Sequence, residues 1–590
     1  MALGAMSNVE QVLDTALQRQ RSGAVKEAEV LYRQVLFAHP NHVPAMFHLG
    51  MLCQAQNRLS ESVELLEKAV RLQPDFVSAH NSLGVALARQ KNYAAAVVAL
   101  ERSIALRPDL IDLQINLGNI YKSWEKFELA IQCYSNALRL NAANAEAHNL
   151  LGGVYSMLGR LPEGIRHFEE ALRLNPRNAA THSNLLLAMN YLPNMNSDVL
   201  LAEHRFWWRL HGRGLTPPPI HANDRNPDRR LRVGYVSPDF RKHAVAAFLE
   251  PIFRHHDPTH IEMFAYAEVP NPDSVTAHFK SLAHHWRSTC GQSDVELAKH
   301  IREDEIDILV DLAGHSASNR LTVFAQMPAP VQVTYLGYPN STGLCEITYR
   351  LTDAIVDPST SPGGQREELV RLDGCFCVYN PIEQTPDVAP PPAMRKRHIT
   401  FGSLHNLAKL NRETISLWCS VMRAMPTSRM LVFRNTLQGK RRQQLGLLFA
   451  DGGIAPERVD LLYESSPPMD YLRIYEDVDI HLDALPWSGH VTTCESLWMG
   501  VPVITLRGSR SSGRLSASIL RAIGRPEWIA ETPSDFVAIA CRLAEDDAKL
   551  LQIRSTLRQQ MRSSILCDGA AFCRRLESEY RRIWRHACDH

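Results

Sequence analysis

The chain has 590 residues, which is enough for several domains. Its 64 basic and 63 acidic residues give a net charge of +1, which argues against nucleic acid or an anionic membrane as the main partner. Apolar residues make up 45% of the chain, yet no apolar run reaches the ~20 residues of a membrane span. Twelve scattered cysteines without disulfide or zinc spacing predict reduced thiols and a cytoplasmic protein.

The first third of the chain is periodic. A Leu-Gly pair recurs every 34 residues, at Leu49-Gly50, Leu83-Gly84, Leu117-Gly118 and Leu151-Gly152. Small residues (Ala69, Ala137, Ala171) and prolines (Pro74, Pro108, Pro176) recur in the same frame. This period is typical of tetratricopeptide repeats, which are pairs of packed helices. We therefore predict a repeat superhelix over residues 9–211.

The predicted superhelix has two interpretations. It is either a structural solenoid without a ligand or a concave groove for a protein partner. Asparagine just before each Leu-Gly pair would line the groove with amides, but only two of five such positions are Asn: His48, Ser82, Asn116, Leu150 and Asn184. Whether the groove binds peptide, and whether the repeats form a homodimer, stays open.

The pattern changes after a Pro-rich linker at residues 212–230. Short strand-like runs then alternate with helical stretches: "LRVGYVS", "DILVDLAG", "VQVTYLG" and "YRLTDAIV", then "HITFGSL", "RMLVFRN", "RVDLLY", "DIHLDAL" and "VPVITL". This alternation predicts two doubly wound, Rossmann-like α/β lobes, at 231–382 and 399–590, joined by an interlobe linker at 383–398. Ligands of such a pair bind in the cleft at the carboxyl edges of the sheets.

In the C-terminal lobe, "SGHVTTCESLWMGVPVIT" predicts a turn, a helix that begins near Val491–Thr493, and a strand. A helix N-terminus at the carboxyl edge of a sheet is an anion site, and phosphate is its natural ligand. His490, Thr492 and Thr493 could donate to the phosphates, and Glu495 suits ribose hydroxyls. The alternative is that Thr492 and Glu495 only form a capping box.

The loop "FGSLHNLAKLNRET" follows the first strand of the same lobe. Lys409 in this loop could reach the same phosphates; the alternative is a solvated surface lysine. The acidic pair Asp477-Val-Asp479 resembles a metal-binding Asp-x-Asp, but it precedes a strand and so lies at the wrong edge of the sheet. We expect no metal ligands elsewhere.

The N-terminal lobe offers acid/base candidates in three loops that follow strands. They are Asp239 and His243 in "VSPDFRKHAVAAF", His315 in "DLAGHSASNR", and the turn of "YLGYPNSTG", in which Tyr338 follows Gly337 and precedes Pro339. A histidine near neutral pKa suits general base work. Any one of 25 histidines is more often an ordinary surface or core residue, so we rely on the three loops together. We expect all three loops to face the cleft.

In order along the chain, the repeats, "LRVGYVSPDFRKH", "PAPVQVTYLGYP", "FGSLHNLAKLN" and "SGHVTTCESLWMGVPVIT" resemble the nucleocytoplasmic O-linked N-acetylglucosamine (O-GlcNAc) transferase family. The resemblance covers nearly the whole chain. It implies a GT-B fold and a metal-independent, inverting transfer from a nucleotide sugar to a Ser or Thr hydroxyl of a protein. It implies no cofactor, with a UDP-sugar as co-substrate.

The resemblance also implies roles for single residues. Lys409 matches the diphosphate-binding lysine, and Asn406 matches an amide that touches the nucleotide. His490 and Thr492 match the donor loop, and Glu495 matches the ribose-binding acid. His243 matches a histidine discussed as a base or acceptor-site residue.

Two departures from the animal enzymes bear on the donor sugar. Val491 stands where those enzymes have a Thr, and the long insert between the lobes is missing, as in a bacterial-type homologue. "NLAK" and "TTCES" also resemble the plant Spindly branch, which transfers fucose from a GDP donor. Three functions therefore stay open: N-acetylglucosamine transfer from UDP-GlcNAc to proteins, GDP-fucose-dependent transfer, and a repeat scaffold with an inactive GT-B module.

Overall fold

The computed structural model describes residues 2–215, 221–359, 366–381, 385–463 and 471–589. Residues 216–220 of the predicted first linker and 383–384 of the predicted interlobe linker lie outside this part of the chain. The chain divides into two compact units, Met1–Val154 and Tyr155–His590.

The first unit is a series of antiparallel helix pairs. Its helices are α1 (Ala2–Arg21), α2 (Val25–Ala38), α3 (Val43–Ala55), α4 (Leu59–Leu72), α5 (Val77–Arg89), α6 (Tyr93–Leu106), α7 (Ile111–Ser123), α8 (Phe127–Leu140) and most of α9 (Ala145–Met157). From α4 to α9, each helix begins 34 residues after the equivalent helix of the preceding pair. The repeat predicted from the Leu-Gly period is therefore confirmed.

The glycine of each Leu-Gly pair allows the two helices of a repeat to pack closely. A Cβ on Gly118 would lie 2.5 Å from the ring of Tyr134, and a Cβ on Gly50 would lie 3.0 Å from Leu66. Both partners lie on the second helix of the same hairpin. The recurring small residues Ala69 and Ala137 are fully buried between helices. A larger residue at these positions would force the helices apart.

The second unit begins with three more helices, α10 (Leu161–Leu174), α11 (Ala179–Asn190) and α12 (Ser197–His211). A seven-stranded parallel sheet follows, in the order β3-β2-β1-β4-β5-β6-β7. Its strands are β1 (Leu231–Ser237), β2 (Ile261–Ala267), β3 (His285–Ser288), β4 (Ile308–Asp311), β5 (Val331–Thr334), β6 (Tyr349–Thr352) and β7 (Glu368–Arg371). The connecting helices are α13 (Ala246–His255), α14 (Ser274–Leu282), α15 (Asp294–Glu303) and α16 (Leu321–Phe324).

The second sheet has six parallel strands in the order β10-β9-β8-β11-β12-β13. They are β8 (Thr400–Ser403), β9 (Arg429–Phe433), β10 (Val459–Leu462), β11 (Ile480–Leu482), β12 (Val503–Leu506) and β13 (Ile529–Ala530). The helices of this lobe are α17 (Ala393–Lys396), α18 (Arg412–Ala424), α19 (Gly439–Asp451), α20 (Val491–Trp498), α21 (Leu515–Ala522), α22 (Pro533–Ala544) and α23 (Asp547–Arg562). The predicted fold class, helical repeats followed by two Rossmann-like lobes, is confirmed.

The last helix, α24 (Gly569–Asp589), returns to the N-terminal lobe. Its Tyr580 hydroxyl lies 3.3 Å from the hydroxyl of Tyr235 on β1. Glu577 accepts a hydrogen bond from His256 over 2.8 Å. Cys573 and Gly569 lie against Pro251 in α13. The helix therefore completes the cover of the first sheet, although it follows the second one in sequence.

Four strands are absent from the predicted runs. β3 and β7 are sheet edges with mostly exposed residues, so they lack the apolar run that marks a central strand. β13 has only two residues. The prediction also omitted β2, although its run "IEMFAYA" is largely buried and pairs with β1 along its whole length.

The twelve cysteines are all unpaired in the structure. Among the helices that the structure describes, none combines the length and the apolar character that crossing a bilayer requires.

Candidate functional site

The mouth of α20 lies at the carboxyl edge of the second sheet, as the sequence predicts. The strand β11 ends at Leu482, residues 483–490 form the turn, and α20 begins at Val491. His490 is the N-cap residue and makes no side-chain capping bond. Glu495 accepts a hydrogen bond from Tyr471 instead of closing back on Thr492. The capping-box alternative is therefore wrong, and the helix start has N–H groups available for a ligand.

Lys409 reaches this helix start from the neighbouring loop. Its ammonium donates to the backbone carbonyl of Ser488 over 2.7 Å and lies 5.8 Å from the centre of the Trp487 ring. The side chain is half-buried, and burial lowers the pKa of Lys409 to about 8, although the Asp483 carboxylate opposes the shift. A partly desolvated ammonium next to helix N–H groups forms a compact site for an anion.

His490 projects between the two lobes. Its ring stacks on Phe248 of α13, with ring centres 3.8 Å apart, and lies 5.2 Å from the ring of Phe376. Burial, followed by the charge of Lys409, lowers the pKa of His490 to about 3, so the ring is neutral. Within the described chain, its buried Nε2 atom has no hydrogen-bond partner. A buried polar atom without a partner at such a mouth suits a ligand that completes its hydrogen bonding.

Glu495 and Thr493 lie deeper in the helix. Burial raises the pKa of Glu495 to about 7, although the bond from Tyr471 opposes the shift. Thr493 is fully buried, and its hydroxyl lies 2.8 Å from that of Ser516. The structure therefore gives Thr493 a bond within the protein. Val491 and Thr492, in the first turn, are half-buried.

Asn406 is exposed at the start of a short 3₁₀ turn, Leu407–Lys409. Its side-chain oxygen accepts from the backbone N–H of Ala408 over 3.1 Å. Its amide group is thus held at the surface of the same loop that carries Lys409.

Three residues behind the mouth were missed by the sequence reasoning: His405, Asp483 and Gly489. Asp483 accepts from the backbone N–H of Gly489 over 2.7 Å and from His405 Nε2 over 2.8 Å. His405 Nδ1 lies 3.0 Å from the hydroxyl of Thr492. The signal that could have found them is the pairing of β8 with β11. Because these strands are adjacent and parallel, His405 and Asp483, which follow them, lie close together.

In the N-terminal lobe, Asp239 and His243 form a pair. Nδ1 of His243 lies 3.3 Å from Oδ1 of Asp239. Asp239 is almost buried, whereas the His243 side chain is 37% exposed. Burial raises the pKa of the Asp239 carboxyl and lowers that of His243, and each charge opposes the shift of the other. The free ring edge of His243 can therefore take a proton from a group that approaches from solvent.

His315 does not face an open cleft. It is fully buried, with Nε2 2.8 Å from the carbonyl of Thr342 and Nδ1 3.0 Å from the Ser183 hydroxyl on α11. Burial lowers its pKa well below the usual range. Helices α11 and α12 cover this loop, and the position of His315 after a strand could not reveal that these distant helices pack there. The expectation that His315 faces an open cleft is wrong, and its role on the acceptor or sugar side stays a prediction.

The turn at Gly337–Pro339 is likewise occupied by packing. Tyr338 is buried, and its hydroxyl lies 2.7 Å from His204 Nε2 on α12. A Cβ on Gly337 would overlap the carbonyl of Leu312, so the turn needs glycine there. Pro339 is half-buried. The side chain of Tyr338 thus anchors the repeat helices to the lobe.

The acidic pair Asp477 and Asp479 lies at the amino edge of the second sheet, as predicted. Asp479 accepts from the backbone N–H groups of Thr400 and Ala393, over 2.8 and 3.0 Å. Asp477 pairs with Lys396 and Arg395. Both carboxylates therefore have structural partners far from the helix mouth.

A cavity of about 530 Å³ lies beside the N-terminal lobe. It is bounded by α11, α12 and the loop that carries Arg320, and its lining includes Asn184 and Ser316. None of the residues at the α20 mouth lines it. Its position between the final repeat helices and the lobe makes it a candidate for acceptor contacts.

Comparison with known proteins gives a family match over most of both lobes. The family model described as "Glycosyl transferase family 41" matches residues 215–381 and 393–576. Tetratricopeptide models match residues 13–75, 54–110, 118–159 and 145–178. A solved structure of a Thermobaculum terrenum O-GlcNAc transferase mutant is 34% identical, covers 87% of this chain and 98% of its own, and has a TM-score of 0.80.

Several curated relatives are plant proteins. The Solanum lycopersicum protein named "Probable UDP-N-acetylglucosamine--peptide N-acetylglucosaminyltransferase SPINDLY" is 39% identical over 411 residues, which is 69% of this chain and 44% of that protein. The Arabidopsis thaliana protein named "Probable UDP-N-acetylglucosamine--peptide N-acetylglucosaminyltransferase SEC" is 29% identical to this chain. The match covers 61% of this chain and 38% of that protein. The chain thus spans less than half the length of the curated relatives it matches.

Proposed function

The chain belongs to glycosyl transferase family 41, and we propose that it is an inverting, metal-independent protein glycosyltransferase that moves N-acetylglucosamine from UDP-GlcNAc to Ser or Thr hydroxyls. The observation that carries the proposal is the approach of the Lys409 ammonium to the open N-terminus of α20, 2.7 Å from the Ser488 carbonyl. A diphosphate is the group that this combination of a cation and helix N–H groups fits best.

The reaction needs charge stabilisation on the leaving diphosphate. When the acceptor hydroxyl attacks the anomeric carbon, the bond from that carbon to the β-phosphate oxygen breaks and negative charge builds on the diphosphate. Lys409 and the first N–H groups of α20 supply positive charge that is already in place, and the neutral His490 adds a donor. Such fixed donors are worth about 10²–10³-fold in rate each. No metal ion or other cofactor is needed for this role.

Each lobe has a separate task in this proposal. The second lobe holds the nucleotide through Asn406, Lys409, the mouth of α20 and Glu495. In the first lobe, His243 is the group placed to accept the proton of the acceptor hydroxyl, and Asp239 orients its ring from 3.3 Å. A phosphate oxygen of the donor could take the proton instead, and the pH profile of a His243 variant distinguishes the two routes.

The acceptor is a protein or peptide that the repeats present. The 34-residue helix pairs lead along the chain to α11 and α12, which border the 530 Å³ cavity next to the first lobe. Asn184 and Ser316 in its lining offer polar contacts to a peptide backbone. With its free thiols, the protein is proposed to work in the cytoplasm.

A GDP-fucose donor is the second candidate, and one observation favours it. The relatives named SPINDLY are 38–40% identical to this chain, whereas the SEC relative is 29% identical and a Caenorhabditis elegans transferase is 23% identical. If that branch uses a GDP donor, as the resemblance implies, the higher overall identity to it favours GDP over UDP as the donor nucleotide of this chain.

The test is a calorimetric titration with UDP and with GDP in EDTA. We expect tight UDP binding by the wild-type protein, and a loss of about 10–100-fold in Lys409→Ala, because a hydrogen bond to a charged group contributes about 1.5–3 kcal/mol. The matched control is Lys440→Ala on α19, an exposed lysine of the same lobe, which should bind like the wild type.

The outcomes separate the candidates. Preference for GDP assigns the chain to the fucose-type donor. Binding of neither nucleotide by a folded protein supports a scaffold with an inactive catalytic module. Restoration of an EDTA-sensitive transferase activity by Mg²⁺ or Mn²⁺ would contradict the metal-free mechanism.

A further inference from the structure

Asp483, His405 and Thr492 form a linear hydrogen-bonded chain that ends at the mouth of α20. The carboxylate of Asp483 lies 2.8 Å from Nε2 of His405, and Nδ1 of the same ring lies 3.0 Å from the Thr492 hydroxyl. Asp483 and His405 are fully buried, whereas Thr492 is half-buried in the first turn of the helix. We name this set the Asp-His-Thr chain.

The surroundings of Asp483 fix the tautomer of the histidine. Besides His405, the carboxylate accepts from the backbone N–H groups of Gly489 and Ala484, over 2.7 and 2.8 Å, and from the hydroxyl of Thr505 over 2.7 Å. Although burial opposes it, the hydrogen bonds from His405 and Thr505 hold the pKa of Asp483 well below its usual range. An ionised carboxylate only accepts hydrogen bonds, so Nε2 of His405 carries a proton.

It follows that Thr492 points its proton inward in the free protein. Burial lowers the pKa of His405, so the ring is neutral and its Nδ1 atom is bare. The bare nitrogen can only accept, and the Thr492 hydroxyl is therefore the donor of the 3.0 Å bond. In this state the Thr492 oxygen turns only lone pairs toward the mouth of the helix, which repel an anionic phosphate.

We propose that His405 is a positioning residue for the donor, which takes up one proton when a nucleoside diphosphate binds and so turns the Thr492 hydroxyl toward the phosphate. The proton moves from solvent to Nδ1 of His405, and no covalent bond to carbon or phosphorus changes. Nδ1–H then donates to the Thr492 oxygen, and Thr492 O–H donates to a phosphate oxygen. The inference rests on the proposed nucleotide site.

The charges around His405 agree with a switch of this kind. Asp483 favours the protonated ring, whereas Lys409 and Arg434 oppose it. His481, whose Nε2 lies 3.4 Å from that of His405, is itself neutral because burial lowers its pKa to about 3. The two nearby cations and burial keep the ring neutral in the free protein. An arriving diphosphate supplies the negative charge that reverses this balance.

The test counts the protons taken up with UDP. Calorimetric titrations at pH 7.0 in two buffers of different ionisation enthalpy give the number of protons bound per nucleotide. We expect the wild-type protein to take up more protons than His405→Gln, with a difference of between one-half and one proton. The glutamine amide can still donate to Asp483 but cannot titrate. Protonation changes of Lys409, of Glu495 and of the nucleotide itself are common to both proteins and cancel in the difference.

Two variants of Thr492 complete the experiment if His405→Gln does not fold. Thr492→Ser keeps the hydroxyl and should keep the proton uptake, whereas Thr492→Val should lose it. Relative to His405→Gln and Thr492→Val, the UDP affinity of the wild type and of Thr492→Ser should fall with rising pH, by up to tenfold per pH unit. Equal proton uptake in all four proteins would overturn the proposal, as would uptake lost in Thr492→Ser. Absence of any UDP or GDP binding would overturn the nucleotide site itself.

Discussion

Gly489 offers a sharp test of how closely the helix mouth is built. A Cβ at this position would overlap the hydroxyl oxygen of Thr493 and lie 3.1 Å from both the His405 ring and the Thr492 hydroxyl. Thr493 has little room to retreat, because it is fully buried and bonded to Ser516. Gly489→Ala therefore displaces the start of α20 or breaks the Thr493–Ser516 bond.

The expected cost follows from these contacts. Overpacking of a tight site costs about 1–3 kcal/mol, and a lost internal hydrogen bond adds about 1 kcal/mol. For a lobe of this size, each kcal/mol lowers the melting temperature by about 2–4 °C. We expect Gly489→Ala to melt several degrees below the wild type and to bind UDP at least tenfold more weakly, because the N–H groups of the helix move from their places.

The matched control is Gly446→Ala in α19. A Cβ there meets only Leu461, at an ordinary 3.9 Å. Alanine in a helix interior is more stable than glycine by about 0.5–1 kcal/mol, so this variant should melt at or above the wild-type temperature. Thermal melts followed by UDP titration compare the two. Equal melting and UDP affinity within twofold of the wild type for Gly489→Ala would refute the reasoning.

Two further variants test charged groups. Glu495 has a pKa raised to about 7 by burial, and a ribose needs the carboxylate as an acceptor, so the ratio of wild-type to Glu495→Gln UDP affinity should drop as the pH is lowered from 8 to 6; calorimetry at both pH values checks this, and an unchanged ratio would exclude the role. Since the raised pKa makes ionisation costly above pH 4.5, Glu495→Gln should also melt higher at pH 8. Arg554 is buried and donates to the carbonyls of Tyr475, Val478 and Ala389. Arg554→Met should therefore lower the free energy of unfolding by about 3–5 kcal/mol in thermal melts. Arg562→Met, at an exposed position on the same helix, should lower it by less than about 1 kcal/mol, and equal losses would contradict this account.

Much of the architecture could be predicted because it depends on periodic signals. The 34-residue Leu-Gly period gave the helix pairs their register, and apolar runs marked the central strands of both sheets. The helix start at Val491 was predicted from a turn between a strand and an amphipathic segment. These features are local in sequence, so a single amino-acid sequence is sufficient to find them.

The arrangement of side chains was predicted less well, because it depends on distant contacts. His315 follows a strand just as His243 does, yet α11 and α12 bury the first and leave the second exposed. His405 and Asp483 are separated by 78 residues and share no motif, so only their adjacent strands bring them together. Thr493 carries the same hydroxyl as Thr492 but turns inward to Ser516.

The return of α24 to the first lobe has a consequence for how the protein folds. The contact between Tyr235 and Tyr580 joins residues 345 positions apart, and it closes over the first sheet rather than the second. During synthesis, the first sheet is therefore complete before the helix that covers it has left the ribosome. The apolar face of the first sheet therefore stays uncovered while the whole second lobe is synthesised. Such long-range contacts slow folding and lengthen the time for which apolar surface is exposed. Chaperones should therefore bind the nascent chain while the second lobe is being synthesised.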